Sequence, residues 1–124
     1  MSTTQTANNV LGTPLIMCGC QPKTGFFRDG YCHTNSQDLG SHTICAVLTQ
    51  EFLTFSAQKG NDLASPIPEF GFPGLKPGDK WCLCATRWLE AYYANQAPPV
   101  VLEACHAKAL EVVYLQQLKS HAYQ

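Results

Sequence analysis

The strongest strand signal in the sequence is Lys76-Pro-Gly-Asp-Lys-Trp-Cys-Leu-Cys-Ala85. Pro77 and Gly78 occupy the two central positions that a type II turn prefers, so this turn leads directly into Trp81-Cys-Leu-Cys84. Each position of that run is apolar, which predicts a strand that is covered on both faces. Residues 42–48, His-Thr-Ile-Cys-Ala-Val-Leu, are equally unbroken and predict a second buried strand.

Helices are predicted to follow both strands. Thr49 can cap a helix that Gly60 ends, and Thr86 can cap a helix that ends before Pro98. The other predicted elements are a hairpin at Asp29-Gly30, strands over residues 100–104 and 110–113, a turn over 106–109, and a closing helix over 115–121.

Residues 61–79 form a segment rich in proline and glycine, which we call the Pro/Gly-rich segment. A stretch of this length without regular structure is uncommon inside a compact domain unless it covers or binds something. Because Phe70, Phe72 and Leu75 lie within it, we expect it to pack on the core.

The pattern as a whole predicts an α+β fold. We expect a flexible N-terminal tail over residues 1–9 and a single globular domain over 10–124. The domain should contain a mixed or antiparallel sheet, two to three helices and the Pro/Gly-rich segment packed on the sheet.

Charge and hydropathy restrict the partners. Eight Lys and Arg residues against nine Asp and Glu give a net charge of −1, which is unlike the basic surface of a nucleic-acid-binding protein. No apolar run approaches the roughly 18 residues of a membrane span, and the N-terminus does not resemble a signal peptide. The sequence therefore predicts a cytoplasmic protein with no nucleic acid or membrane partner, and leaves its small-molecule or protein partner and its oligomeric state open.

Seven cysteines are the unusual feature of the composition. Seven is odd and the expected compartment is reducing, so we interpret them as thiols or metal ligands before disulfides. Cys82 and Cys84 should share one face of a strand, where they are either core residues or part of one site. The Cys-x-Cys spacing is one residue too tight for a zinc knuckle.

A catalytic cysteine would need a histidine as its base and a third group to orient that histidine. The sequence offers three candidate bases, His33, His42 and His106. The candidate third groups are Asp29, Asp38, Asp62, Glu69 and Glu103. Because no recognised catalytic motif is present, the sequence favours no enzymatic activity.

Long blocks of the chain resemble one small bacterial family, the domain of unknown function family 2237. These blocks include Thr24–Cys32, His42–Thr49, Pro68–Ala85 and Val100–Ala104. The resemblance runs from about Val10 to Ala122 and implies a compact α+β domain, but no reaction, cofactor or ligand.

The family pattern also implies which cysteines could form a site. It has cysteines at the positions of Cys18, Cys32, Cys45, Cys82 and Cys84 and a histidine at His42, and these six residues are the candidate metal ligands, for zinc or iron. The chain departs from the pattern at Gly19, Cys20 and Cys105, so Cys20 and Cys105 are the least expected members of a site.

Three functional hypotheses follow. The leading one is a binding or interaction module in which the Pro/Gly-rich segment frames a groove with aromatic walls. The alternative is a metal-binding or thiol-redox protein that uses the cysteines. The third and weakest is an enzyme whose acid/base chemistry comes from carboxylates, although these are too few and scattered to choose a pair: Asp29, Asp62, Glu69 and Glu103.

Overall fold

The computed structural model describes residues 7–123, and its regular elements are few and short. Strands β1 and β2 span His42–Val47 and Lys80–Cys84. Helices α1, α2 and α3 span Gln50–Gln58, Ala85–Tyr93 and Leu115–Lys119. Three 3-10 turns lie at Pro68–Phe70, Leu102–Ala104 and Ala107–Glu111. The chain is a small single α+β domain with three helices, as the sequence predicts.

The sheet has two antiparallel strands, β1 and β2, with Cys45 opposite Cys82 and Ala46 opposite Trp81. A two-stranded ribbon is marginally stable alone, so its faces must be covered. Helix α2 contacts both strands. Its Trp88 is fully buried and donates a hydrogen bond from Nε1 to the Pro98 carbonyl at 3.1 Å. The sheet therefore lies inside the core, as the apolar runs predict.

The two helix starts differ from each other. Helix α1 begins as predicted, with the Thr49 hydroxyl accepting from the Phe52 amide at 3.1 Å. Helix α2 begins at Ala85, earlier than the predicted cap at Thr86, because the Ala85 amide donates to the Ser41 carbonyl at 3.0 Å. Strand β2 thus continues into α2 without a loop, and Cys84 lies at the junction.

The Pro/Gly-rich segment packs on the sheet over part of its length. Leu75 is buried, and the Phe72 ring meets the Trp81 ring edge-on with centroids 5.5 Å apart. The prediction was wrong for Phe70, which is 83% exposed. Ile67 and Phe72 pair with each other, so the 3-10 turn between them projects away from the core.

Three predicted elements are absent from the described residues. The Asp29-Gly30 hairpin does not form, because the Gly30 carbonyl accepts from the amides of Cys18 and Gly19 instead of closing a ladder. The strand predicted over 100–104 is wrong beyond Val101, since the chain bulges outward as a 3-10 turn before His106 returns to the Thr43 carbonyl at 2.8 Å.

The strand predicted over 110–113 is also wrong. Leu110 and Glu111 belong to the 3-10 turn Ala107–Glu111, and the two residues after them form a turn and a bend. At the start of the 3-10 turn, the His106 ring accepts from the Lys108 amide at 3.0 Å. The run Ala-Lys-Ala-Leu-Glu consists of strong helix formers, so its local preference is helical.

The N-terminal end of the described chain packs against the domain. Asn9 is buried, and its side-chain amide donates to the Glu103 carbonyl at 3.0 Å. Packing therefore begins before residue 10, and residues 1–6 of the predicted flexible tail lie outside the described residues. Within residues 7–123, no helix has the length and apolar character needed to cross a membrane.

Candidate functional site

Four cysteines meet beside the sheet. Cys45 of β1 and Cys82 of β2 are opposite each other in the ladder. The chain before β1 contributes the other two, and the pairs Cys18–Cys45 and Cys32–Cys82 form disulfides with Cα separations of 5.6 and 5.4 Å. These two bonds join the irregular chain before residue 42 to both strands.

This pairing corrects the expectation that the cysteines are thiols or metal ligands before disulfides. That expectation came from the compartment, which says nothing about which sulfurs meet in space. Residues 7–41 contain no helix and only isolated bridges, so they have little backbone ladder to hold them on the sheet. Covalent bonds can supply that attachment.

The six candidate metal ligands divide into two groups. The sulfurs of Cys18, Cys32 and Cys82 all lie within 4.8 Å of one another, and Cys45 is bonded to Cys18. His42 and Cys84 lie opposite each other at one end of the ladder, whereas Cys45 and Cys82 pair in its middle. Zinc binds thiolates, not disulfide sulfurs, so the metal hypothesis concerns the reduced protein and stays a prediction.

Three cysteines carry free thiols: Cys20, Cys84 and Cys105. Cys105 is fully buried, and this burial raises the pKa of its thiol to about 12. Cys20 is exposed and lies outside the sulfur cluster. Cys84 is partly exposed, and its sulfur lies 3.1 Å from the Thr86 hydroxyl. Of the three, Cys84 combines access to solvent with a position beside the sheet.

A groove of about 570 Å³ lies between the Pro/Gly-rich segment and the sheet. Its apolar walls are Phe26, Leu63, Ile67, Phe70, Phe72 and Trp81. The Arg28 guanidinium lies 5.1 Å from the centre of the Trp81 ring, and its Nη1 donates to the Gly25 carbonyl at 2.6 Å. Arg28 has a φ of 56°, a left-handed conformation that is uncommon outside glycine.

His42 lines the same groove and is held there by a carboxylate. Its Nδ1 lies 2.6 Å from Asp38 Oδ1, and its amide donates to Asp38 Oδ2 at 2.9 Å. Burial alone would raise the pKa of Asp38, but hydrogen bonds from His42 and Thr34, together with the charge of His42, lower it below its usual value. Asp38 is therefore a carboxylate at neutral pH, and it favours the tautomer that leaves Nε2 of His42 free to accept.

A smaller cavity of about 210 Å³ continues from the groove and shares His42, Trp81 and Cys82 with it. Its lining also includes Cys84 and Arg87, which do not line the groove. The free thiol of Cys84 therefore lies at the end of the aromatic groove, on the same side as His42.

The remaining candidate histidines, His33 and His106, line neither the groove nor the smaller cavity. His33 forms a similar pair with Asp29, at 2.8 Å from Nδ1 to Oδ2, but the neighbouring Cys32 is in a disulfide. Burial, followed by the charges of His33 and Lys108, lowers the pKa of His106. Among the candidate third groups, Asp62 lines the groove, while Glu69 and Glu103 line neither the groove nor the smaller cavity.

Sequence reasoning missed the pairing of His42 with Asp38 and the part of Arg28 in the groove. The spacing of four residues in both Asp38–His42 and Asp29–His33 was the available signal. Nothing in the sequence marks Arg28, because its role depends on a left-handed backbone beside Trp81.

The fold and site define a class of protein: a small α+β domain in which two disulfides attach an irregular segment to a two-stranded sheet beside an aromatic groove. A family model described as an uncharacterised protein conserved in bacteria matches residues 8–122. The chain belongs to this family, the domain of unknown function family 2237. No curated protein matches the chain.

Proposed function

We propose that the chain is a binding module. Its groove takes a small organic molecule with an aromatic or branched apolar body and a carboxylate or carbonyl group. The observation that carries this proposal is the groove itself, with aromatic side chains on the sheet side and on the Pro/Gly-rich segment that crosses it.

The size and lining of the groove favour a small molecule over a protein partner. A volume of about 570 Å³ falls in the range of roughly 300 to 1,000 Å³ that is typical of small-molecule sites. Rigid aromatic walls lose little conformational entropy on binding, so they suit a ligand with a flat or branched apolar body.

Polar groups at the groove would fix the orientation of the ligand. Arg28 supplies a positive charge above Trp81 and retains further N–H donors besides the one bonded to Gly25. The Asp62 carboxylate at the rim already accepts from the Ser65 hydroxyl at 2.6 Å and from the Ala64 amide at 3.0 Å. A carboxylate or carbonyl oxygen of the ligand is therefore the natural partner for Arg28.

The disulfides support this proposal because they constrain the groove wall. Phe26 and Arg28 lie in the chain between Cys18 and Cys32, and both of these cysteines are bonded to the sheet. Cys82 itself lines the groove. A wall that is fixed before the ligand arrives lowers the ordering cost of binding.

The test is a titration of the oxidised, isotope-labelled full chain with phenylacetate, in which binding is monitored through the NMR chemical shifts of the backbone amides. We expect saturable shifts at Phe72 and Trp81, and at least fivefold weaker binding in Phe70→Ala. The matched control is Tyr93→Ala, which removes a comparably exposed aromatic ring outside the groove and should leave binding unchanged. Shifts that are absent, or spread evenly over the surface, would reject the groove as the site.

Metal binding by the reduced protein is a second candidate. The observation in its favour is that three sulfurs lie within 4.8 Å of one another, with Cys45 bonded to one of them. Tetrahedral zinc places thiolate sulfurs about 3.8 Å apart. Once the two disulfides are reduced, the bonded sulfurs would move apart to this spacing, while sulfurs as far as 4.8 Å apart would draw together. Metal analysis of protein purified under reducing conditions without chelator tests this candidate, which predicts about one zinc or iron per chain.

A cytoplasmic location, with no nucleic acid partner, remains part of the proposal. The net charge of −1 supports the absence of nucleic acid. Disulfides are rare and usually transient in a reducing compartment, so there the cysteine pairs would be partly open. Cell fractionation combined with rapid alkylation of thiols would show both where the chain is and which form it takes.

A further inference from the structure

We infer that Cys84 is a nucleophile at the end of the groove, with His42 as its base. Together they cleave a carboxylic ester or thioester whose apolar acyl body occupies the groove. This inference rests on the proposed binding function, because the groove would hold the acyl group. It deepens that function by assigning a reaction to the smaller cavity, which both residues line.

An irregularity in the ladder places these two residues opposite each other. From Val47–Lys80 to Ile44–Leu83 the register is regular, and its continuation would place Thr43 opposite Cys84. The register shifts between His42 and Ile44, so His42 lies opposite Cys84 instead. Bulges of this kind re-aim side chains and are over-represented beside active sites.

The ring of His42 is held from several sides. The side chain of Asp38 is fully buried, and its Oδ1 accepts a hydrogen bond from Nδ1 of the ring. Phe26 stacks on the ring with centroids 6.1 Å apart. Gly40 leaves the space that the ring needs, because a Cβ there would lie 2.8 Å from Cε1. The ring is fixed although its side chain is 38% exposed, which is an arrangement suited to a base that must meet a substrate.

The position of Cys84 also suits a nucleophile. It is the last residue of β2 and the N-cap of the nine-residue helix α2. The amides of Thr86 and Arg87 lie in the first turn, where helix geometry provides no carbonyl partner. These N–H groups, at the positive end of the helix, can stabilise negative charge that develops on a carbonyl oxygen beside the thiol.

The reaction balances with water as the second reactant. Nε2 of His42 takes the proton from Sγ of Cys84, and the sulfur forms a bond to the carbonyl carbon while the π electrons move to oxygen. Collapse breaks the bond to the leaving group, which departs with the proton from His42. Water, deprotonated by His42, then attacks the thioester and breaks the C–S bond, and Sγ regains a proton. The products are the acid and an alcohol or thiol.

The competing thiols differ from Cys84 in their surroundings. Cys105 is buried with a strongly raised pKa, which makes it inert. Cys20 is exposed and lines neither the groove nor the smaller cavity, so it is suited to be the internal control.

The experiment uses the oxidised full chain in a Cys20→Ser background, with p-nitrophenyl phenylacetate as the probe. We expect a burst of about one p-nitrophenol per chain and an acyl adduct on the peptide that contains Cys84. The Cys84→Ala variant should lose both. The His42→Gln variant should slow acylation by about 100-fold or more, which is the usual contribution of a general base.

Asp38 is a positioning residue in this scheme, so its variant needs a different readout. Asp38→Asn should lower kcat by at least tenfold and leave KM nearly unchanged, because the groove that binds the acyl body does not contain Asp38. A merely structural role would instead change both constants together with the melting temperature. Circular dichroism and the melting temperature of each variant establish that it is folded.

The outcomes separate this inference from the proposed function. If phenylacetate binds in the groove but Cys84 is never acylated, the inference is overturned and the proposed binding function stands. Acylation of Cys84 at the same rate as Cys20 in the wild-type chain also overturns it. Failure of phenylacetate to bind, with no selectivity among acyl groups, rejects both proposals.

Discussion

Removal of the Cys32–Cys82 disulfide should cost a large part of the stability of this domain. We consider the double variant Cys32→Ala/Cys82→Ala, which keeps Cys18–Cys45. The lost bond closes a loop of 50 residues, and the Cys18–Cys45 bond provides no shorter path between its ends. Chain entropy then predicts a loss of about 4 kcal/mol at 25 °C. The shorter separation of 27 residues for Cys18–Cys45 corresponds to about 3.5 kcal/mol.

Equilibrium unfolding in urea measures this loss. A small domain has a total stability of about 5 to 15 kcal/mol, so a loss of about 4 kcal/mol should lower the urea midpoint by roughly a quarter or more. The matched control is Cys105→Ala, which removes a buried sulfur that belongs to no disulfide and should cost only about 1 kcal/mol. If the double variant costs no more than this control, the Cys32–Cys82 bond does not hold the N-terminal segment on the sheet, and the structural role assigned to it is refuted.

Three further perturbations have defined outcomes. The pKa of Asp38 is lower in the folded state than in the unfolded state, so its carboxylate stabilises the fold above the unfolded pKa. This stabilisation is lost as the pH falls through the folded pKa. Between pH 7 and 3, the urea midpoint should therefore fall less steeply in Asp38→Asn than in wild type. Gly40→Ala should displace the His42 ring, since a Cβ there would lie 2.8 Å from Cε1, and should slow acylation of Cys84 at least tenfold; an unchanged rate would show that the ring does not need this space. If the reduced chain binds zinc through its clustered thiols, a chelator should lower the melting temperature of reduced protein and leave that of oxidised protein unchanged, whereas equal melting temperatures with and without chelator in the reduced form would count against a metal site.

The sequence predicts those parts of the fold that depend on local pattern. The unbroken apolar runs around Cys45 and Cys82 correctly indicate buried strands, and Thr49 caps its helix as its residue type suggests. The strand prediction for residues 100–104 is wrong in part, because only Val100 and Val101 pair with β1 and the chain then forms a 3-10 turn. A strand needs a partner edge, and the local pattern does not show where the free edges are.

The site depends on contacts between distant residues, so less of it can be predicted. The resemblance identifies five of the cysteines and His42 as a set, but the structure separates this set into a four-sulfur cluster and a His42–Cys84 pair. A one-residue irregularity in the ladder produces that second pair. The disulfides were not predicted because the expected compartment is reducing and because the sequence does not show which sulfurs meet in the folded chain.

A small molecule that occupies the groove beside Cys84 should protect the thiol of Cys84 from alkylation. Oxidised chain is treated with iodoacetamide with and without saturating phenylacetate, and the modification rates of Cys84 and Cys20 are followed by peptide mass spectrometry. We expect phenylacetate to slow modification of Cys84 at least threefold and to leave the rate at Cys20 unchanged. Equal rates at Cys84 with and without phenylacetate would contradict it.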